Sequence, residues 1–214
     1  MIQQIATYFS EHLDDWLSMV VDHLAISSMA LCAAAVIAIP PGIVCSRHAW
    51  AERFATGTAG ILRVVPSLAI LILCVPYLGV GTLPAVVALT ALAIPPILIN
   101  TAVALRSVSP QVIEAATAMG MSPLRLWLTI KAPLAFPLAF SGVRTAASEV
   151  IASATLAAYI GAGGLGILIY TGLGALRSDL LWIGGISVAL LSLLLNRVLA
   201  LIERRLRAYE RVSG

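Results

Sequence analysis

Charged side chains are scarce in this sequence. Only 11% of its 214 residues are Asp, Glu, Lys or Arg, against about 25% in an ordinary soluble domain, so a water-facing globular enzyme is excluded. Lysine occurs once, at Lys131, and no G-x-x-x-x-G-K-[ST] run surrounds it, so the chain does not bind a nucleotide as a P-loop protein. Cysteine is nearly absent as well. Cys32, Cys45 and Cys74 form no C-x-x-C pair, and His12, His23 and His48 form no H-E-x-x-H, so neither a metal site nor a disulfide framework is expected, and no catalytic residue is nominated. No Lys or Arg precedes Arg47, which argues against a secretory signal peptide with its positive start. The twelve arginines are scattered rather than gathered in a stripe, so the net charge of +3 does not point to nucleic acid.

What is abundant is apolar surface. Hydrophobic residues make up 60% of the chain and the mean hydropathy is +1.01, which excludes disorder and places the protein in a membrane. A membrane helix needs about 20 largely uncharged residues. Leu24 to Ser46 is one such run. The next, Val64 to Leu105, is 42 residues long and broken by Pro76, Gly79, Gly81 and Pro84, so it reads as two helices and a tight turn. The second span then begins near Thr56 and takes in Arg63. The third runs from about Leu83 to Leu105 through the kinking Pro95-Pro96 pair, and the fourth from about Pro137 to Tyr159. After a glycine-rich break from Gly161 to Gly174, a fifth runs from Leu180 to about Ile202. The expected fold is therefore all-α and integral to the membrane, with five transmembrane helices.

Orientation follows from the basic residues, which stay cytoplasmic. Arg47 and Arg53, then Arg106, Arg125 and Lys131, then Arg204, Arg205, Arg207 and Arg211 fall in alternate connections and in the tail. Glu11, Asp14, Asp15 and Asp22 precede the first span. The N-terminus is accordingly outside and the C-terminus cytoplasmic. Ile5, Phe9, Leu13, Trp16 and Val20 recur at helical spacing, so residues 1–23 read as an amphipathic helix on the outer surface. Residues 24–205 form the transmembrane domain, with a long cytoplasmic loop at 107–133, and 206–214 form a tail. Trp50 and Trp127 should mark the inner interface, and Tyr77, Tyr159, Tyr170 and Trp182 the outer one.

The loop at 107–133 is helix-favouring. Ser109 is placed to cap a helix that opens on Pro110, Gly120 stops it, and Ser122-Pro123 starts a second short helix. Small Ala115 and Ala116 beside Glu114 suit a knob that another protein grips closely. Glu114-Ala115-Ala116, three residues, Gly120, nine residues, then Ile130-Lys131-Ala132-Pro133 resembles the EAA loop of ATP-binding-cassette importer permeases, with Ala132 in place of the usual leucine. The resemblance implies that Glu114, Ala115, Ala116, Gly120 and Pro133 belong to a coupling helix seated on a cytoplasmic ATPase subunit. It also implies two such subunits carrying ATP and Mg, a second permease subunit, identical or similar, an extracytoplasmic binding protein, and a bacterial cytoplasmic (inner) membrane location. The five spans and their orientation further resemble the methionine-importer-like permease fold.

Ile61-Leu62-Arg63-Val64-Val65-Pro66-Ser67-Leu68-Ala69 and Ile151 to Gly166, which includes Ala154-Thr155-Leu156-Ala157-Ala158 and Gly161-Ala162-Gly163-Gly164-Leu165-Gly166, resemble the osmoprotectant permeases for glycine betaine, choline and carnitine. A permease for another small solute such as an amino acid, and a secondary carrier or channel without an ATPase, are the alternatives. The glycine run also satisfies G-x-G-x-x-G formally, but a span of membrane length precedes it where a dinucleotide fold has a short strand. With aromatics at only 6%, a cation–π cage for a quaternary amine belongs on the separate binding protein. Within the spans, Arg63, Arg144 and Glu149 each cost about 2.5–3.5 kcal/mol at a helix centre. Arg63 and Arg144 either snorkel to the cytoplasmic side or line the pathway. Glu149 lies deepest, so it is expected to pair with Arg144 or Arg63 or to be neutral, and with Gly161, Gly163 and Gly164 it is nominated for the translocation pathway and gate.

Overall fold

The computed structural model describes residues 2–48, 53, 57, 60 and 65–206. Helices α1 (Ile2–Glu11), α2 (Leu13–Arg47), α3 (Ser67–Leu78), α4 (Thr82–Arg106), α5 (Pro110–Ala118), α6 (Pro123–Leu126), α7 (Ala132–Ala157), α8 (Gly166–Gly174) and α9 (Ser178–Leu206) follow one another, with no strand among the described residues. A π-helical stretch, Trp127–Lys131, joins α6 to α7, and a 3₁₀ turn, Ala158–Ile160, ends α7. By length and hydropathy α2, α4, the run from 123 to 160 and α9 can each cross a membrane. The shorter apolar α3 matches the end of the expected second span, whose beginning, with Thr56 and Arg63, lies outside the described residues. Trp50, Arg207 and Arg211 lie outside them too.

The expected boundary at residue 23 is not there. From Leu13 to Arg47 the sequence contains no glycine or proline before Pro40, so nothing stops the helix, and α2 runs unbroken for 35 residues. That is about 52 Å of helix, well beyond the roughly 30 Å hydrocarbon core. The chain breaks instead at His12. The apolar stripe does not lie free on a surface either: Ile5, Phe9, Trp16 and Val20 pack against a cluster of Leu165, Leu168, Leu180 and Ile183, and the Trp16 indole N–H donates to Ser187 Oγ at 2.9 Å. Leu13 stays exposed.

The centre of the bundle is α2, α4 and α7, and it is built from small residues. Ala30, Ala34, Ala38, Ala85, Ala88, Ala93, Ala146 and Ala154 are buried with Ile97 and Val150. Small side chains let helix backbones approach closely, which is how membrane helices gain contact when lipid is as apolar as the protein. α2 and α4 run parallel, since Arg106 reaches the Cys45 carbonyl at 2.7 Å and so satisfies the C-terminal end of α2. α7 runs antiparallel: Gly142 crosses α4 where a Cβ would lie 2.6 Å from Asn100 Cβ and 2.7 Å from the Pro96 carbonyl oxygen. We expect Gly142→Ala to cost about 1–3 kcal/mol, as overpacking does. Gly185→Ala, where the added carbon meets only open space, should leave thermal unfolding in detergent unshifted. Equal melting of the two variants would contradict this close crossing.

The glycine-rich break is only partly a break. Gly161, Gly163 and Gly164 take positive φ, but Gly166 to Gly174 forms α8. The apolar residues between those glycines pack inward through Leu168, and Gly166 is required for approach: a Cβ there would sit 2.1 Å from the Thr155 carbonyl oxygen.

Candidate coupling surface and membrane pathway

Ser109 does occupy the N-cap position and Pro110 opens α5, as the sequence implies. The hydroxyl, however, goes to the Gln111 side chain instead of the helix backbone. At the other end Gly120, at φ 80°, closes a paired C-cap: its N–H donates to the Thr117 carbonyl at 2.9 Å and the Met121 N–H to the Ala116 carbonyl at 3.2 Å. No atom lies near where a Gly120 Cβ would point, so glycine is there for its backbone conformation and not for space.

The helix so defined has two unlike faces. Ile113 packs onto the ends of α4 and α7 through Leu105, Val108 and Ala135, and Ala116 is 1% exposed. Glu114, Ala115, Thr117 and Ala118 face outward. The expected pair of docking alanines is therefore split, with Ala115 presented and Ala116 seating the knob on its own chain. After Met121, the expected second short helix does not stand alone. α6, the π-helical stretch and α7 form one continuous helical run, with Pro133 exposed in the first turn of α7. A displacement of α5 thus reaches α7 after only a four-residue link.

Along α7, Arg144, Thr145, Ser148 and Glu149 line a cavity with Asn196 of α9, and Ser141 also reaches Asn100 of α4 at 3.5 Å. Arg144 is held by α9: its Nε donates to Asn196 Oδ1 at 2.7 Å and its terminal nitrogen to Glu203 Oε2 at 2.8 Å. The Glu203 side chain is 8% exposed and that of Arg144 38%. Arg144 is thus engaged by Glu203, and the half-buried Glu149 lines a cavity beside it. There, Ser141, Thr145, Ser148 and Glu149 line a cavity of 400 Å³ that shares Arg144 and Asn196 with a second one, of 380 Å³, along α9. Asn196 and Glu203 are partners that the sequence did not single out. Glu203 adjoins Arg204 and Arg205 and lies beyond the last apolar run, so it reads as part of a charged tail until the helix is seen to continue through Leu206.

At the opposite end of the bundle the glycine loop rests on α2. His23 is buried, its Nε2 donates to the Ile151 carbonyl at 3.0 Å, and a Cβ on Gly164 would lie 3.1 Å from His23 Nδ1. The Gly81 N–H donates to the Ile160 carbonyl at 2.7 Å, tying the turn before α4 to the end of α7. Gly164 thus meets His23 and Gly163 lies beside Asp22, while no atom lies near where a Gly161 Cβ would point. Tyr77 and Tyr159 are exposed at this end, with Tyr159 and Tyr170 rings 5.6 Å apart.

This chain has known counterparts. The family described as binding-protein-dependent transport system inner membrane component matches residues 16–208. The chain belongs to this family. It is a membrane-embedded transport subunit. A carnitine transport permease protein of Listeria monocytogenes is 42% identical over 202 residues, 94% of this chain and 93% of that one. A choline transport system permease protein of Bacillus subtilis is 37% identical over 86% of this chain and 85% of that one. An osmoprotectant import permease protein of Salmonella typhimurium is 34% identical over 85% and 87% respectively. Among solved structures, a chain of the methionine ABC transporter MetNI in an inward-facing conformation superposes with a TM-score of 0.79. It is 22% identical, with coverage of 89% of this chain and 95% of that one, and supports the fold.

Proposed function

We propose that this chain is the permease subunit of an ATP-driven importer for small quaternary amines, with glycine betaine, carnitine and choline as the substrate class. The observation that carries the proposal is the α5 knob: Glu114 and Ala115 outward, Ala116 and Ile113 inward, and Gly120 fixing the exit of the chain. In this reading five spans place the N-terminus outside and α5 and the C-terminus in the cytoplasm of a bacterial inner membrane. Two ATPase subunits, which hold ATP and Mg, grip one knob each on this chain and on a second permease, identical or similar. A binding protein delivers substrate to the outer end.

Closure of the ATPase pair moves α5, and the continuous run into α7 transmits that motion to Arg144 and Glu149. Glu149 lines the path with Ser148 and Thr145, while Gly161, Gly163 and Gly164 yield at the outer gate. Arg63 is proposed for the same path from its position in the second span. Relatives named for carnitine and for choline transport support the quaternary-amine class, and a third is named for osmoprotectant import. The test is uptake of labelled glycine betaine by vesicles holding the assembled transporter, in competition with carnitine, choline and methionine. Competition by the quaternary amines and none by methionine is expected. Competition by methionine alone would replace the substrate class while keeping the importer.

A further inference from the structure

Over its inner half α9 is joined to α7 by the Arg144 contacts with Asn196 and Glu203. The 380 Å³ cavity left there is lined by Arg144, Leu193, Asn196, Arg197, Glu203 and Arg204. Three arginines face one carboxylate, and that carboxylate is engaged by Arg144. Arg197 and Arg204 are exposed and have no acidic partner among the described residues. They lie seven residues apart, two turns along one face of the helix, and Arg197, beside Asn196, stands in a largely apolar stretch. An arginine at membrane depth requires an anion, water or a route to the interface.

The same face continues outward as Leu193, Leu194 and Leu190, which are 61%, 63% and 54% exposed. From Arg197 to Leu190 is about 10 Å of helix, and from Arg204 about 21 Å, the span of one leaflet's acyl chain beneath its phosphate. We propose that this cavity is a binding site for the phosphate headgroup of an anionic phospholipid of the cytoplasmic leaflet, held by Arg197 and Arg204 with its chain along Leu193 and Leu190. The leaflet assignment rests on the orientation given under Proposed function. The lipid would fill the wedge between α9 and α7, so the Arg144–Glu203 contact is completed by a bilayer component.

The test is native mass spectrometry of the full assembled transporter titrated with short-chain phosphatidylglycerol or phosphatidylcholine. Wild type should retain phosphatidylglycerol selectively. The double variant Arg197→Gln/Arg204→Gln should bind it about 30-fold more weakly, the equivalent of about 1 kcal/mol per arginine. Arg205→Gln, outside the cavity lining, should bind as wild type, and Arg204→Gln alone should show an intermediate loss if the double variant fails to assemble. Equal retention of both lipids, or a double variant that binds normally, would overturn the site. Glycine betaine displacing phosphatidylglycerol from wild type would overturn it too, by assigning the arginines to substrate carboxylate. Binding is read without transport, so failed uptake with intact selective binding would count against the importer reading alone.

Discussion

Glu114→Arg should abolish uptake while leaving the chain folded and inserted. The side chain projects from the outer face of α5 and takes part in no hydrogen bond or ion pair among the described residues, so its replacement costs the isolated chain within about 0.5 kcal/mol. Against a partner built to receive a carboxylate the sign reversal is a like-charge clash of several kcal/mol, and each 1.4 kcal/mol is about tenfold in affinity. Loss of ATPase co-purification and uptake reduced more than about tenfold are expected, with unchanged membrane content. Glu114→Gln, which removes the charge without reversing it, should lose less. Gly120→Ala should fall between them, because alanine at φ 80° costs about 1–2 kcal/mol and tilts the exit of the knob with no steric contact of its own. Normal co-purification of Glu114→Arg with full uptake would remove the knob from the coupling mechanism.

The second large effect is expected at Arg144. Arg144→Met strips Glu203 of the guanidinium that lies 2.8 Å away, and Glu203 is 8% exposed. Arg144 is 38% exposed and Arg197 and Arg204 line the same cavity, so the loss is that of a charge-assisted hydrogen bond, about 1.5–3 kcal/mol, whereas replacing both partners with apolar groups of similar size is often near neutral. The single variant should therefore unfold at a clearly lower temperature in detergent, and Arg144→Met/Glu203→Met should recover most of the loss. Uptake separates structure from transport. Recovery of stability with uptake still absent would assign the pair to the pathway as well as to packing, and recovery of both would make it a structural clamp. A single variant as stable as wild type would contradict the geometry of the clamp.

Much of the fold was legible because a bilayer imposes a length on every span. The charge-free runs at 24–46 and 83–105 fall within α2 and α4, and the turn at Gly79–Gly81 is where the glycines place it. The short helix α5 was legible for a different reason. Ser109, Pro110 and Gly120 are local signals read over twelve residues, and local signals do not depend on what packs against them. The failures are non-local. Whether Ile5, Phe9 and Trp16 rest on lipid or on α9 is decided by Ser187 and Ile183, more than 160 residues away. Arg144 finds Glu203 across 59 residues, and nothing in the spacing of either points to the other. Ala116 and Ala115 are indistinguishable by type, yet Ala116 is buried and Ala115 exposed once Ile113 packs on Leu105, Val108 and Ala135. The glycine run failed by composition, since three of its glycines serve φ while Gly166 and Gly172 serve close helix contact.

The central claim is that flux through this chain is driven by a partner's ATP hydrolysis and transmitted through α5. The most direct measurement is substrate uptake into vesicles containing the chain with its ATPase and binding protein, with ATP inside, and again with the ATPase inactivated. Uptake that requires both ATP and the active ATPase, and disappears with Glu114→Arg, is the predicted result. Uptake that persists without ATP, driven by an ion gradient through the chain alone, would contradict the account and make this protein a secondary carrier.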